Sequence, residues 1–368
     1  MRAFLLSSVG LVLGALALLL LLEGLLRVLP VSNGLGPTPS PAAWPLHAYA
    51  PHRPYQYSNT WAMLNAHAGR TNNYGHIAPM DFRSGSRPMI VVGDSFIEAK
   101  MNDYADTLQG MLGSRLGAAH PVYGLGISGL SASDYVVLAR QTRADFAPDA
   151  AVFLISDGDI SESLIPRNGG YFLRRRGSGF DPEYVPLSPS PVMAWVHANV
   201  GELALYAYLR NNLKFSPGDI GQAFKWGQSG ASPRPPSAPS SDEERQVVEW
   251  FLGELPRASG IPPQCIVLLV DADRYAIYNP RQASQPNDPP DVRRYLIDQG
   301  RAMGFKVVDL GPLFRAEYAR TRSKFDYWPL DRHWSRAGHA LAADAVMAAL
   351  FAGTPGRACM PGRAEGQG

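Results

Sequence analysis

The chain has 368 residues, 46% of them hydrophobic and 10% aromatic. That is enough apolar surface for one large domain or two modest ones, and it excludes disorder of the whole chain. Its 34 basic side chains against 32 acidic ones leave a formal charge of +2, with no basic stripe, so a nucleic-acid partner is not indicated. The 36 glycines and 32 prolines exceed average usage and announce many turns.

Residues Ala3 to Leu22 form an uncharged apolar run ended by Glu23. About 20 helical residues span roughly 30 Å, the thickness of a bilayer core. An uncleaved membrane anchor is therefore expected. A cleaved signal peptide and a buried soluble helix remain the alternatives, although no A-x-A-like cleavage site follows. Pro30 to Pro54 is rich in Pro, Ser and Gly and reads as an extended linker.

From Pro88 a rhythm sets in. Short Val/Ile/Leu-rich runs occur at Met89 to Val92, Val122 to Leu125, Ala151 to Ile155, Cys265 to Val270 and Lys306 to Leu310. They do not alternate with polar residues, as expected of strands covered on both faces. Helical periodicity fills Ala105 to Leu116, Ser133 to Arg143, Asp242 to Leu255 and Val292 to Met303. Ser241 to Glu244 reads as a capping box, and Ser335 as the cap of a last helix over Ala337 to Phe351. Alternating β and α units imply a flavodoxin-like three-layer α/β/α domain with five parallel strands. The expected organisation is an anchor over 1–29, a linker and extension over 30–87, a main domain over 88–352 with an insertion at about 160–245, and a disordered tail over 353–368. The Ser/Pro tract Ser229 to Ser241 reads as a mobile surface loop.

Cys265 in an apolar run and Cys359 in the tail read as two free or incidental thiols, and no spacing of Cys or His resembles a metal site. Gly124-Leu-Gly126-Ile-Ser-Gly129 satisfies the dinucleotide pattern G-x-G-x-x-G, with Asp145 or Asp149 as a ribose-binding acid. It sits on the second strand rather than the first, and the acid does not end the next strand. An exported domain also meets little NAD, so the pattern is read as a decoy.

Two blocks carry chemistry. In Met89-Ile-Val-Val-Gly93-Asp94-Ser95-Phe96 a serine stands on a strand-to-helix turn, at the carboxyl end where open parallel sheets bind ligands. In Asp331-Arg332-His333-Trp334-Ser335, just before the last helix, a carboxylate two residues from an imidazole can orient it. Together they fit a nucleophile, a base and the group that orients the base. His339 reads as packing on the last helix.

On these residues the chain resembles the SGNH/GDSL hydrolase superfamily, whose first block is matched by Gly93, Asp94 and Ser95 and whose last block is matched by Asp331 and His333. The one-residue spacer and following Trp334 look like the membrane-anchored, alginate O-acetyltransferase-like subset, and Thr71 to His76 looks like the Asn/Gly turn that precedes the Gly-Asp-Ser strand there. The resemblance implies Ser95 as nucleophile, His333 as base and Asp331 as its orienting group, with no cofactor and no metal. It implies oxyanion donors at the amides of Ser95 and Gly129. The second block departs from the family, with Gly124 where Asn is often found. So does the third block, with Gly158 in place of the usual Asn. A backbone N–H of Gly158 or the hydroxyl of Ser156 is then the expected substitute. The expected activity is ester hydrolysis or O-acyl transfer on an envelope carbohydrate, from a single-pass membrane protein with an extracytoplasmic domain, within a polysaccharide-modification complex. A non-catalytic binding or assembly component of such a complex is the alternative. In the insertion, Arg174 and Arg175 are expected to bind an anionic glycan, and an ordinary packed helical insertion with a solvated arginine cluster is the competing reading.

Overall fold

The computed structural model describes residues 2–36, 49–177, 179–188, 190–215, 240–279, 290–327, 330–351 and 359–360. Residues 37–48 of the linker, most of the Ser/Pro tract and most of the tail lie outside the described residues. The described residues fall into two compact units, one from within 1–36, 54–68 and 189–232, the other from within 37–53, 69–188 and 233–368.

The first unit holds helix α1 (Arg2–Val28) and the two-stranded ribbon of β1 (Pro54–Asn59) and β2 (Leu64–Arg70). Residues 31–36 of the expected linker are packed rather than free. Ser32 N–H donates to Asn212 Oδ1 at 2.9 Å and Gln56 N–H to Asn33 Oδ1 at 3.0 Å. Short polar side chains there satisfy backbone groups that a linker would leave to water.

The second unit is built on strands β3 (Met89–Gly93), β4 (Val122–Gly126), β5 (Ala150–Ile155), β8 (Ile266–Val270) and β9 (Lys306–Asp309). All are parallel, in the order β4-β3-β5-β8-β9, with Met89 opposite both Val122 and Ala150. Counted along the chain this is order 2-1-3-4-5, so the switch point lies between β3 and β5. Alternate strand residues supply two cores. Ile90, Val92, Phe153 and Leu268 pack with helices α4 (Ala132–Phe146) and α8 (Ser241–Ser259). Met89, Val91, Val152 and Leu269 pack with α3 (Leu108–Leu116), α11 (Leu310–Thr321) and α12 (Arg336–Phe351). Full burial of β3, β4, β5 and β8 on both faces explains why none alternates in sequence.

Local chemistry moves several expected boundaries. Helix α3 starts at Leu108 rather than Ala105 because Thr107 Oγ1 accepts the Gly110 amide at 3.1 Å, behind a 3₁₀ turn at Tyr104–Asp106. The capping box of α8 is Ser240 with Glu243, one residue earlier than expected, and Glu244 is buried. Helix α11 was not foreseen; the Asp309 carboxylate caps it, accepting from Gly311 N–H at 2.8 Å.

One further expectation is corrected. Cys265 and Cys359 are joined in a disulfide across 94 residues of sequence, not free. The tertiary fold brings the start of β8 beside the tail, a proximity that spacing alone does not encode. The residues of the expected insertion are found in both units. Its first part is an antiparallel hairpin of β6 (Gly170–Arg176) and β7 (Gly179–Val185) in the sheet unit, while residues 190–215 belong to the first unit.

Candidate active site

Strand β3 ends at Gly93, and α2 (Ser95–Glu98) turns straight back over it. A Cβ at Gly93 would stand 2.5 Å from Ile97 Cγ1 and 3.2 Å from Leu154 Cβ, so this turn admits only glycine. Asp94 caps α2, its carboxylate accepting from Phe96 N–H at 2.9 Å. The turn leaves Ser95 at the carboxyl end of β3, beside the switch point.

The Ser95 hydroxyl donates to His333 Nε2 at 2.8 Å. His333 Nδ1–H donates to Asp331 Oδ1 at 2.5 Å, and the same oxygen accepts the His333 backbone amide at 2.9 Å. The carboxylate thus fixes both the tautomer and the tilt of the ring. Two segments 238 residues apart in sequence meet in one hydrogen-bonded chain, the arrangement that activates a serine hydroxyl.

Residues not singled out in the sequence hold the histidine loop. Arg274 is 5% exposed. Its Nη1 donates to both oxygens of Asp271 at 2.6 and 2.7 Å, its Nε to Asp326 at 3.3 Å, and its Nη2 to the carbonyl of Arg332 at 2.9 Å. Its plane is packed by Phe96, Phe314 and Trp334. Burial works against this charge, but Asp271 and Asp326 outweigh it and raise the pKa. Trp334 is fully buried and donates to Asp271 at 3.2 Å. Asn102 donates to the Trp334 carbonyl at 2.9 Å and accepts from Tyr327 at 2.7 Å. An arginine three residues after an Asp at a strand end was the available signal for this clamp.

His339 is fully buried, accepts the Leu108 amide at 3.1 Å, and is held neutral by burial, with its pKa down to about 3. It takes no part in the chain through Ser95.

The oxyanion candidates fare differently. The amide of Gly129, whose φ is 81°, donates to no group among the described residues. The Ser95 amide lies in the first turn of α2, where helix amides lack intrahelical partners. Gly158 has φ 101° and caps α5 (Asp159–Glu162). The Ser156 hydroxyl is no longer a substitute donor. It lies 2.9 Å from Asp94 Oδ2 and 3.1 Å from Asp159 Oδ1, so its single proton is engaged by carboxylates. Burial, which dominates, raises the pKa of Asp94. The charge of Asp159 is met by the Ser156 amide at 2.8 Å and the Tyr135 hydroxyl at 3.0 Å. Only Asp157 is exposed on this turn.

The loop before α4 is tied to α2 through Glu98. This buried carboxylate accepts from Tyr49 at 2.6 Å and from Ser128, the neighbour of Gly129. Upstream, the Thr71 to His76 segment does form a turn: Asn72 Oδ1 accepts the amides of Tyr74 and His76 at 2.9 and 3.0 Å.

Phe96, Asp157, Asp273, Tyr275, Arg332 and His333 line a cleft of about 260 Å³. Arg174 and Arg175 do not line it. Arg174 pairs with Glu183 across the hairpin and Arg175 faces Glu243 at 3.9 Å, each also lying over a phenylalanine of the hairpin. Both side chains are exposed and face carboxylates on or beside the hairpin.

No family model matches the chain, and no curated protein matches it either. Among solved structures it is similar to LAE5, an α/β hydrolase from the metagenome of Lake Arreo, Spain, at 15% identity over 73% of this chain and 96% of that one, with a TM-score of 0.40. It is similar to a member of the lipolytic G-D-S-L family from Veillonella parvula at 10% identity, covering 71% and 96%, with a TM-score of 0.37. A variant of Axe2, an acetyl xylan esterase from Geobacillus stearothermophilus, gives 17% identity, 73% and 96% coverage and a TM-score of 0.36.

Proposed function

We propose that the chain is a serine-dependent ester hydrolase or O-acyltransferase of the SGNH/GDSL type, held to a membrane by α1. The observation that carries this reading is the hydrogen-bonded chain from Ser95 through His333 to Asp331. Ser95 Oγ attacks the acyl carbonyl while His333 takes its proton, forming a tetrahedral oxyanion. Collapse expels the alcohol, protonated by His333, and leaves an acyl-serine. Water, or a sugar hydroxyl, then attacks with His333 again as base. The amides of Ser95 and Gly129 face the developing oxyanion. With Gly158 offering no side-chain amide, one donor worth about 10²–10³ in rate elsewhere is missing.

A neutral acylated carbohydrate suits the cleft better than an anionic polymer. Phe96 and Tyr275 bring aromatic rings to the cleft, the latter beneath Arg332, and Asp157 together with Asp273 outweighs that one cation against a carboxylated ligand. Helix α1, long and apolar enough over Leu6–Val28 to cross a bilayer, supports attachment to a membrane; we further place the sheet unit on the extracytoplasmic side, alone or in a polysaccharide-modifying complex. The test is turnover of an activated acetyl ester by the full chain in detergent. Loss of turnover in Ser95→Ala and His333→Gln is expected, and equal turnover by wild type and Ser95→Ala overturns the assignment.

The missing side-chain donor on the β5 turn favours one second reading, a binding or assembly component that keeps the fold without turnover. A fluorophosphonate probe separates the two. Labelling that disappears in Ser95→Ala identifies the enzyme; a folded protein that resists labelling is the binder.

A further inference from the structure

Helix α6 (Pro191–Val200) reads PVMAWVHANV, ten residues without Asp, Glu, Lys or Arg, whose polar residues, His197 and Asn199, both fall in its second half. A helix this apolar belongs against a core or against lipid. Yet Val192 is 71% exposed and Trp195 62% exposed. The chain continues through Leu203, 40% exposed, into α7 (Ala204–Ala207) and a π-helical turn at Tyr208–Asn212, with Leu209 and Leu213 also exposed.

Where this apolar surface lies is set by the same unit. The carboxylate of Glu23 on α1 accepts the amides of Ala204 and Leu205 at 3.0 and 2.9 Å, and pairs with Arg27 at 2.8 Å. Leu26, Val31 and Ala207 close a small core beside that contact. At about 1.5 Å per residue, the uncharged run before Glu23 fills roughly 30 Å of hydrocarbon. Glu23 is its first charge, so it and the bonded residues 204 and 205 stand at the boundary with the head groups. Helix α6 ends four residues before Ala204 and is about 15 Å long, so its C-terminal end starts close to that boundary and the whole helix is within reach of the head-group layer. Tryptophan with an apolar body and one N–H donor is the side chain that favours this layer.

We propose that α6, with Leu203, is a second membrane contact, lying in the head-group layer of the same bilayer that α1 enters. The occupant of the exposed apolar face is phospholipid. This rests on the reading of α1 as an anchor. Two contacts, one spanning and one lying flat, fix the tilt of the first unit where a lone helix would leave it free to swivel.

The test uses the full chain reconstituted in phosphatidylcholine vesicles containing anionic phosphatidylglycerol. The chain's two cysteines are joined, so an introduced thiol takes a polarity-sensitive fluorophore alone under non-reducing conditions. Val192→Cys reports on α6, Leu11→Cys on the anchor, and Ser323→Cys on an exposed surface of the sheet unit. The expected result is blue-shifted emission at Val192 and Leu11, with Val192 quenched more by a shallow lipid nitroxide and Leu11 more by a deep one, while Ser323 reads as aqueous. A lipid-exposed Leu11 with an aqueous Val192 overturns the proposal and leaves the anchor standing. A blue-shifted Val192 that no lipid nitroxide quenches means protein covers α6, and also overturns it. An aqueous Leu11 removes the anchor reading and this one with it.

Discussion

Arg274 offers the sharpest test of how the histidine loop is held. Replacing it by Met keeps the packing against Phe96, Phe314 and Trp334 but removes the guanidinium. Two carboxylates, Asp271 at 8% residue exposure and Asp326 with a side chain at 4%, then lose their counter-ion without gaining water. The carbonyl of Arg332 loses its donor as well. Breaking one buried pair by removing a partner costs about 3–5 kcal/mol, so Arg274→Met should lie in or above that range. Chemical denaturation of the detergent-solubilised full chain measures it. Asp271→Asn in the same background neutralises one of the stranded charges, and the double variant should recover on the order of 1–3 kcal/mol of the loss. A cost under about 1 kcal/mol for Arg274→Met, or strictly additive effects in the cycle, would refute the clamp, because unpaired buried carboxylates cannot be that cheap.

Gly126→Ala should misplace the serine. Its Cβ would collide with the backbone of Ile97 and Glu98 and stand 2.8 Å from Glu98 Cα; a shift of about 1 Å in α2 costs up to ~10² in ester turnover, read against an unchanged circular dichroism spectrum. Replacing both Cys265 and Cys359 by Ser should cost about 2–5 kcal/mol, since the bond closes a loop of nearly 100 residues in the unfolded chain; identical thermal melts with and without reductant would contradict this. Acid should destabilise the fold through His76 and His339, whose burial lowers their pKa to about 4 and about 3. Below about pH 6.5 the unfolded chain takes up these protons and the folded one does not, so stability falls as pH drops towards 4, by on the order of 3 kcal/mol for His76 alone. The raised pKa of Asp94 acts oppositely and offsets part of the loss. His76→Gln should flatten the measured slope of stability against pH by about one proton's worth.

Much of the sheet was legible because burial on two faces leaves an unmistakable mark. The runs at Met89, Val122, Ala151, Cys265 and Lys306 became the five parallel strands within a residue or so. The helix ends slipped by one to three residues where a cap, Thr107 or Ser240, competed with a neighbouring candidate. Ser95, His333 and Asp331 stood out because strand ends and pre-helix loops are where such side chains collect.

The sequence alone determined what depends on residues near one another along the chain: the strand periodicity, the apolar run of α1, the glycine turn before Ser95, and the two-residue step that lets Asp331 meet His333. Only the tertiary structure decided what depends on partners hundreds of residues away. It paired Cys265 with Cys359, set Arg274 between Asp271 and Asp326, and engaged Ser156 with two carboxylates. It turned Arg174 towards Glu183 rather than the cleft, and gave Glu23 the amides of residues 204 and 205 as partners. The reason is physical. Local patterns record the backbone's own preferences, whereas a charged or polar side chain is satisfied by whichever group the packed chain brings within about 3 Å, and one-dimensional spacing carries no record of that choice.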